Sequence, residues 1–364
     1  MRKTKIITTI GPATGSKEMM AGLIEAGANY FRFNLKHNTQ EWHQDKITMA
    51  RKMSEKIGKN IGIMIDIVRS DYPIEVKDYD LVALSYLKSE NEVDNLRQRL
   101  EKKKIKAGIV AKIENRAALS RLEKIIPKSE AIMVARGDLG EDLPIEELGF
   151  FQKKIIDSCR KNHTSVIVAT QMLQSMTVNP KPTRAEATDV SNAIFDGTDS
   201  IMLSDETAIG KNPVEAVKVM DKIARYCEES GELRQVEIEA DDLGDSLVAG
   251  AVEIIKKIGK EEIGGVVVFT KSGKTAKIIS SYRLAIPVIA ISDSQSQLSQ
   301  LGISYGIIPY YRVFKNSEFR QEDKVFEELV ARKLLTKKKV TLVIHGNNWF
   351  EGGSAHNLSL VKIG

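Results

Sequence analysis

Over the first 230 residues, short apolar, β-branched runs alternate with amphipathic stretches. The runs are "KIITTIG", "NYFRFNL", "IGIMIDI", "LVALSY", "AGIVAKIE", "AIMVARGD", "SVIVATQ" and "SIMLSDE". Several are almost continuously apolar, as strands covered on both faces are. The stretches between them carry helix signals. "SKEMMAGLIEAG" opens on Ser16, a capping residue, and closes on Gly27, and "TQEWHQDKITMARKMSEKIG" uses Thr39 and Gly58 in the same way. "TRAEATDVSNAIFDG" and "NPVEAVKVMDKIARYCEES" follow the same pattern further on. Eight strands alternating with helices over about 230 residues match a (β/α)8 TIM barrel. A doubly wound open sheet is the alternative, but no G-x-G-x-x-G follows the first run.

One interval breaks the rhythm. The third run ends near Ile67 and the fourth begins near Leu81. The intervening "VRSDYPIEVKDYD" contains a proline and is too short for a crossover helix with its loops. The third barrel helix is therefore expected to be stunted or missing.

The acidic "GELRQVEIEADDLGD", 231–245, reads as a linker. Beyond it, 246–364 reads as a smaller α/β domain. "SLVAGAVEIIKKIG" is a helix and "GGVVVFT" a buried strand. "SGKTAKIISSYRL" is a helix entered through a Ser-Gly turn, and "IPVIAISD", "YGIIPYYRV" and "KVTLVIHG" are strands.

Composition narrows the function classes. The 364 residues are 42% hydrophobic and 28% charged, typical of a globular chain with a sizeable core. The net charge of +5 comes from 54 basic and 49 acidic residues. This is a mixed surface rather than a nucleic-acid stripe. "EKKKIK" and "TKKKV" read as helix ends or turns. Cys159 and Cys227 match no metal spacing and suit a reducing, cytoplasmic compartment. The apolar run at the N-terminus breaks at Gly11-Pro12, too early for a signal peptide, and no run has the length of a membrane span.

A TIM barrel places its site at the C-terminal ends of its strands. Those ends carry Arg32, Asn34, Lys36 and His37; Asp66; Lys112 and Glu114; Arg136 and Asp138; Thr170 and Gln171; and Asp205 and Glu206. Lys112 and Glu114, two apart, face the same side of one strand. Glu114 and Asp138 make a pair of hard oxygen ligands for Mg²⁺. Arg32 and Lys112 supply positive charge for a phosphate, and N–H groups at the "RGD" turn suit an anion. A salt-bridge cluster that merely closes the barrel is the bland alternative for any one of these residues. For so many charges on one face, desolvation makes it a poor explanation. His43, His163 and His345 are scattered and read as surface or packing residues. "TKSGKT", 270–275, is not a P-loop, because Val268 stands where the first glycine is needed. Thr270, Ser272, Gly273, Lys274 and Thr275 remain a candidate phosphate nest beside the alternative of an ordinary capped helix start.

"TKIITTIGPATGS", "RFNLKHNTQEWH", "AKIENRAAL", "IMVARGDLG", "ATQMLQSM", "PTRAEATDVSNAIFDGTDSIMLSDETAIG" and "NPVEA" together resemble pyruvate kinases, in order over most of residues 1–230. "FTKSGKTA" and "IPVIAIS" resemble that family's C-terminal domain more loosely. The resemblance implies phosphoryl transfer between phosphoenolpyruvate and ADP, giving pyruvate and ATP, with Mg²⁺ and usually K⁺. It implies that Arg32 and Lys112 meet the transferring phosphate, and that Glu114 and Asp138 hold Mg²⁺. N–H groups at Gly137 and Asp138 would bind the substrate carboxylate, and Thr170 would lie near the methylene carbon that gains a proton. Asn34 and Asp66 would form the K⁺ site. His37, with Asn34 beside it, would lie near the nucleotide phosphates. A sugar-phosphate effector would use the 270–275 turn, and a homo-oligomer, by resemblance a tetramer, is implied. No nucleic-acid or membrane partner is expected.

Departures from the family pattern matter as much. The family inserts a lid domain of about 100 residues after strand three, where this chain has "DIVRSDYP"; Arg69 is the only nearby arginine to close that motif. "NLKHN" puts Lys36 in place of a serine of the K⁺ site, Ile67 stands for a threonine, and Asp205 for a glycine. Two readings follow. One is an active, lidless enzyme in which Lys36 takes the place of K⁺. The other is a catalytically impaired paralogue that binds or enolises a pyruvate-like acid, or a regulatory binding protein.

Overall fold

The computed structural model describes residues 1–231, 233–259, 261–313, 322–346 and 355–363. Eight parallel strands close a barrel in sequence order: β1 Lys5–Thr9, β2 Tyr30–Asn34, β3 Gly62–Ile67, β4 Leu81–Leu84, β5 Gly108–Ile113, β6 Ala131–Ala135, β7 Ser165–Ala169 and β8 Ser200–Leu203. The circle closes where β1 pairs with β8, Ile6 opposite Ile201. All eight strands of the apolar rhythm are found. Nearly every residue in them is buried, because helices cover one face and the packed barrel interior the other.

The caps act as their residue types dictate. Ser16 accepts from the Met19 N–H and Thr39 from the Trp42 N–H, each taking up a donor that the first helical turn leaves unpaired. Gly27 and Gly58 end the same two helices at φ 117° and 72°, the left-handed region that favours glycine.

Between β3 and β4 there is no helix. Residues 68–80 form an extended strap in which Ile74, Val76 and Tyr79 are buried while Glu75 and Lys77 are exposed. The inward residues join the barrel's apolar core, so the strap covers surface that a helix covers elsewhere. Only at Asp80, whose N–H reaches the Ile63 carbonyl at 2.8 Å, does its main chain join a strand; along the middle of the strap it bonds to side chains of the helix Gln40–Ile57. Gln40 donates to the Pro73 carbonyl at 2.8 Å and accepts from the Glu75 N–H at 2.7 Å, and Gln44 accepts from the Lys77 N–H at 2.7 Å.

The chain divides into two compact units between Arg234 and Gln235, with Met1 grouped with the second. The second unit is built on a five-stranded mixed sheet. β9 Ile263–Phe269 lies at its centre, with β10 Val288–Ser292 and β11 Ile307–Tyr311 on one side and β12 Val340–His345 and β13 Asn357–Lys362 on the other. All pairings are parallel except β12 with β13. Three elements lie outside the sequence reading: the helices Gln295–Leu301 and Glu322–Ala331, and the edge strand β13. β13 is largely exposed and carries little apolar pattern to detect. The acidic stretch read as a linker to 245 becomes helical at Leu243, where Asp242 accepts from the Asp245 N–H as N-cap.

Candidate active site

Every barrel strand delivers its last side chains to one end, and six side chains there form a connected buried cluster. Arg32, on β2, donates to Asp66 Oδ2 through Nε at 2.9 Å and Nη2 at 2.6 Å, and to Thr9 Oγ1 at 3.2 Å. Asp66, near the end of β3, also takes the Ser85 hydroxyl on Oδ1 at 3.1 Å. The Lys112 ammonium donates to Ser85 Oγ at 2.7 Å and lies 3.3 Å from Asp66 and 2.6 Å from Glu114 Oε1. Glu114 Oε2 accepts the Tyr86 N–H at 2.6 Å. Two cations and two carboxylates balance, and each is within reach of an opposite charge, the condition for holding ions out of water.

The electrostatics follow from that geometry. Burial pushes the Asp66 carboxyl up, but Lys112 and Arg32 outweigh it and hold the group below its ordinary range. Burial pushes the Lys112 ammonium down, and Asp66 and Glu114 more than restore it, so it stays charged. At Glu114 burial prevails over the attraction of Lys112, with Asp138 adding repulsion, and the carboxyl sits above its ordinary range.

Glu114 Oε1 has a property that bears on a metal. It is buried, and although the Lys112 ammonium lies 2.6 Å away, no hydrogen-bond donor is aligned on it. Asp138, half-buried in the first turn of the helix Arg136–Asp142, is near enough to repel Glu114. Two neighbouring carboxylates, one of them with an oxygen that accepts no aligned hydrogen bond, fit Mg²⁺, which takes one or two carboxylates and completes its shell with water and substrate oxygens. Among the described residues no group of three His, Cys, Asp or Glu side chains forms a closed protein cage.

A second network joins the ends of β6 and β7. Thr170 and Gln171, the two residues after β7, both have left-handed backbones, φ 68° and 53°. For β-branched Thr170 this is a true outlier, and each such residue costs about 1–3 kcal/mol. The Gly137 N–H donates to Thr170 Oγ1 at 2.7 Å, and that hydroxyl donates to the Ala169 carbonyl at 2.6 Å. Buried Arg136 donates through Nη2 to the carbonyls of Thr170, at 2.8 Å, and Gln171, at 3.3 Å, and through Nη1 to Asp189 at 2.8 Å. The atoms nearest a Cβ at Gly137 would be those of the Thr170 side chain, at ordinary contact distances of 3.5 Å and more.

The strand-end residues thus do not share one task. Arg32, Asp66, Lys112 and Glu114 come together, with Asp138 within electrostatic reach of Glu114; Thr170 and Gly137 touch each other. Arg136 is spent on the β7 turn. Buried Glu206 accepts from the N–H groups of Leu173 and Ser204, at 3.0 and 2.7 Å, and ties two loops together. Asp205, Lys36 and His37 are exposed, and Asn34 Oδ1 accepts the Lys36 N–H at 3.2 Å. The cations that meet Asp66 are Arg32 and Lys112. Arg69 pairs with Asp71 at 2.5 Å on the open surface. Of the scattered histidines, His43 is a packing residue, edge-on to Phe33 and Trp42, with Nε2 2.6 Å from the His37 carbonyl. Sequence reasoning missed Thr9, Ser85, the Tyr86 N–H and Asp189. Ser85 follows β4 directly, so the strand-end rule that selected Lys112 and Glu114 could have found it.

In the second unit, two N–H groups of the 270–275 turn face its own side chains. Thr270 Oγ1 accepts the Gly273 N–H at 2.9 Å, and the Lys274 N–H lies 3.4 Å from Ser272 Oγ. Thr275 is buried. Lys274 pairs with Asp242 at 2.6 Å and Asp245 at 3.4 Å, and Lys271 with Asp293 at 2.8 Å. The loop 345–357 falls largely outside the described residues.

Comparison with known proteins agrees with this geometry. The model of the pyruvate kinase barrel domain matches residues 1–72 and 70–217, and that of the pyruvate kinase alpha/beta domain matches 245–363. The pyruvate kinase of Thermotoga maritima is 28% identical over 95% of this chain and 96% of its own length. That of Bacillus licheniformis is 31% identical over 95% and 77%, and that of Sporosarcina psychrophila 30% over 100% and 81%. Taken with the closed barrel and the charge-compensated cluster at the ends of its strands, these matches place the chain in the pyruvate kinase family.

Proposed function

We propose that this chain transfers a phosphoryl group between phosphoenolpyruvate and ADP, yielding pyruvate and ATP, without a lid over the barrel mouth. The observation that carries the reading is the Arg32–Asp66–Ser85–Lys112–Glu114 cluster, which presents two cations and leaves Glu114 Oε1 without an aligned donor. Phosphoryl transfer asks for position and charge neutralisation more than covalent chemistry. Arg32 and Lys112 neutralise the phosphate in transit, and Lys112 also the enolate oxygen left behind. Glu114 and Asp138 would hold Mg²⁺, which when bound supplies Lewis-acid charge neutralisation. The N–H groups of Gly137 and Asp138 orient the carboxylate, the Gly137 N–H exchanging Thr170 Oγ1 for the substrate. Thr170 faces the methylene carbon that takes up the proton. Asn34 and exposed His37 lie toward the nucleotide.

Two observations support the missing lid. β3 and β4 are joined by residues 68–80 alone. The alignment with the Thermotoga maritima enzyme runs over 452 columns, so at least 88 of them face gaps in a chain of 364 residues. The monovalent-cation site is also altered in this reading. Asp66 is already saturated by Arg32, Lys112 and Ser85, and Lys36 adds positive charge beside Asn34, so K⁺ is not required. A phosphate effector at 270–275 would have to displace Asp242 from Lys274.

The test is pyruvate formation from phosphoenolpyruvate and ADP in Tris buffer without K⁺, with Mg²⁺ or with chelator. Turnover with Mg²⁺ alone is expected. A strict K⁺ requirement removes the cation part of the reading, and a rate no higher than with chelator removes the kinase reading. Because lids exclude water and complete nucleotide sites, their loss favours a second reading, an impaired paralogue. It predicts that Mg²⁺ and phosphoenolpyruvate bind without turnover.

A further inference from the structure

Thr170 is gripped at both ends by consecutive residues of another strand's loop. The Arg136 side chain takes its carbonyl and the Gly137 N–H takes its hydroxyl. A structural ion pair would need only Asp189. Here the guanidinium also reaches the carbonyls of the two residues whose backbones are left-handed, as well as Met172 Sδ at 2.9 Å. Neither residue belongs to β7, so no ladder holds that bend. Arg136 is buried, and its planar fork spans two carbonyls and a carboxylate at once, which a lysine ammonium does not do in one geometry. Asp189 is partly exposed, so it orients the fork while remaining solvated.

We propose that Arg136 is a positioning residue, which, anchored on Asp189, keeps the Thr170–Gln171 turn bent so that the Thr170 hydroxyl stays over the substrate. The inference rests on the kinase reading of the site. In that reaction the phosphoryl group leaves the enol oxygen for ADP, and the C=C electron pair of the resulting enolate takes a solvent-derived proton at the methylene carbon. Arg136 touches none of these atoms and acts through the turn. Displacing the turn therefore slows proton uptake without removing the groups that bind phosphate.

The test compares wild type, Arg136→Lys and Asp189→Asn in the coupled assay in H2O and D2O. Arg136→Lys is expected to lower kcat at least tenfold while KM for phosphoenolpyruvate changes less than threefold. The solvent isotope ratio on kcat should rise from near one to above two, because proton uptake becomes the slow step. A loss of folded protein alone would not move that ratio. Asp189→Asn should shift it in the same direction by less, and carries the test if Arg136→Lys does not fold. An unchanged kcat, or a lowered kcat with an unchanged isotope ratio, overturns the proposal. If wild type itself shows no turnover, the kinase reading fails separately. The turn is then read by amide exchange at Gln171 and Met172: exchange at least tenfold faster in the variant supports the positioning role, and equal exchange overturns it.

Discussion

Replacing Lys112 by methionine removes the ammonium that joins the two carboxylates and leaves a side chain of similar length. Its consequences divide unequally. Asp66 keeps both Arg32 contacts, at 2.6 and 2.9 Å, and the Ser85 hydroxyl at 3.1 Å. Glu114 keeps only the Tyr86 N–H on Oε2, and its side chain is 1% exposed, so solvent does not repair the loss. Breaking a buried pair from one side costs about 3–5 kcal/mol, and the retained Asp66 contacts place Lys112→Met near 3 kcal/mol. Removing a donor that stabilises charge in transit costs roughly 10²–10³ in kcat. The double variant Lys112→Met/Glu114→Gln separates the two effects. It removes the orphaned charge, so urea unfolding should show more than half the lost stability restored, while the coupled assay shows no recovery. Turnover of Lys112→Met within tenfold of wild type refutes the proposed role. Additive stability losses in the double variant refute the charge-compensation argument, because residues in contact should couple.

Three further outcomes follow from the framework. Gln40→Ala with Gln44→Ala removes three bonds to the strap; at about 0.5–1 kcal/mol each on an exposed face, urea unfolding should show a loss near 2 kcal/mol, and trypsin should cut sooner at Lys77. Burial depresses the His43 pKa below its ordinary value, with the carbonyls of His37 and Asn34 opposing. The folded state therefore binds fewer protons than the unfolded chain. Wild-type stability should be full above about pH 6.5 and fall as pH drops from there toward the depressed pKa, while melting temperatures of His43→Leu should decline less steeply over that window. Gly62→Ala places a Cβ 2.0 Å from the buried Tyr30 ring. Overpacking of this kind costs about 1–3 kcal/mol, and a variant as stable as wild type would contradict it.

The barrel was legible because its signal is local and repeated. Each strand is buried on both faces and reads as an apolar run, and each cap depends on one residue reaching three positions along the chain. The missing third helix was legible by length alone. β13 and the helix Gln295–Leu301 were not, since an exposed edge strand and a seven-residue helix carry too little apolar period to stand out.

Within the site, chain order sufficed to say that Arg32, Asp66, Lys112, Glu114, Asp138 and Thr170 lie at one end of a barrel. Which of them touch was decided by folding. Arg136 and Lys112 are both strand-end cations, yet one secures a strained turn and the other joins two carboxylates. The difference lies in what the neighbouring elements bring within 3.3 Å: Asp189 and two backbone carbonyls in one case, Ser85, Asp66 and Glu114 in the other. A sequence records the charges, but the energy of a buried charge is set by its partners, and partners 27 or 53 residues away meet only once the barrel closes.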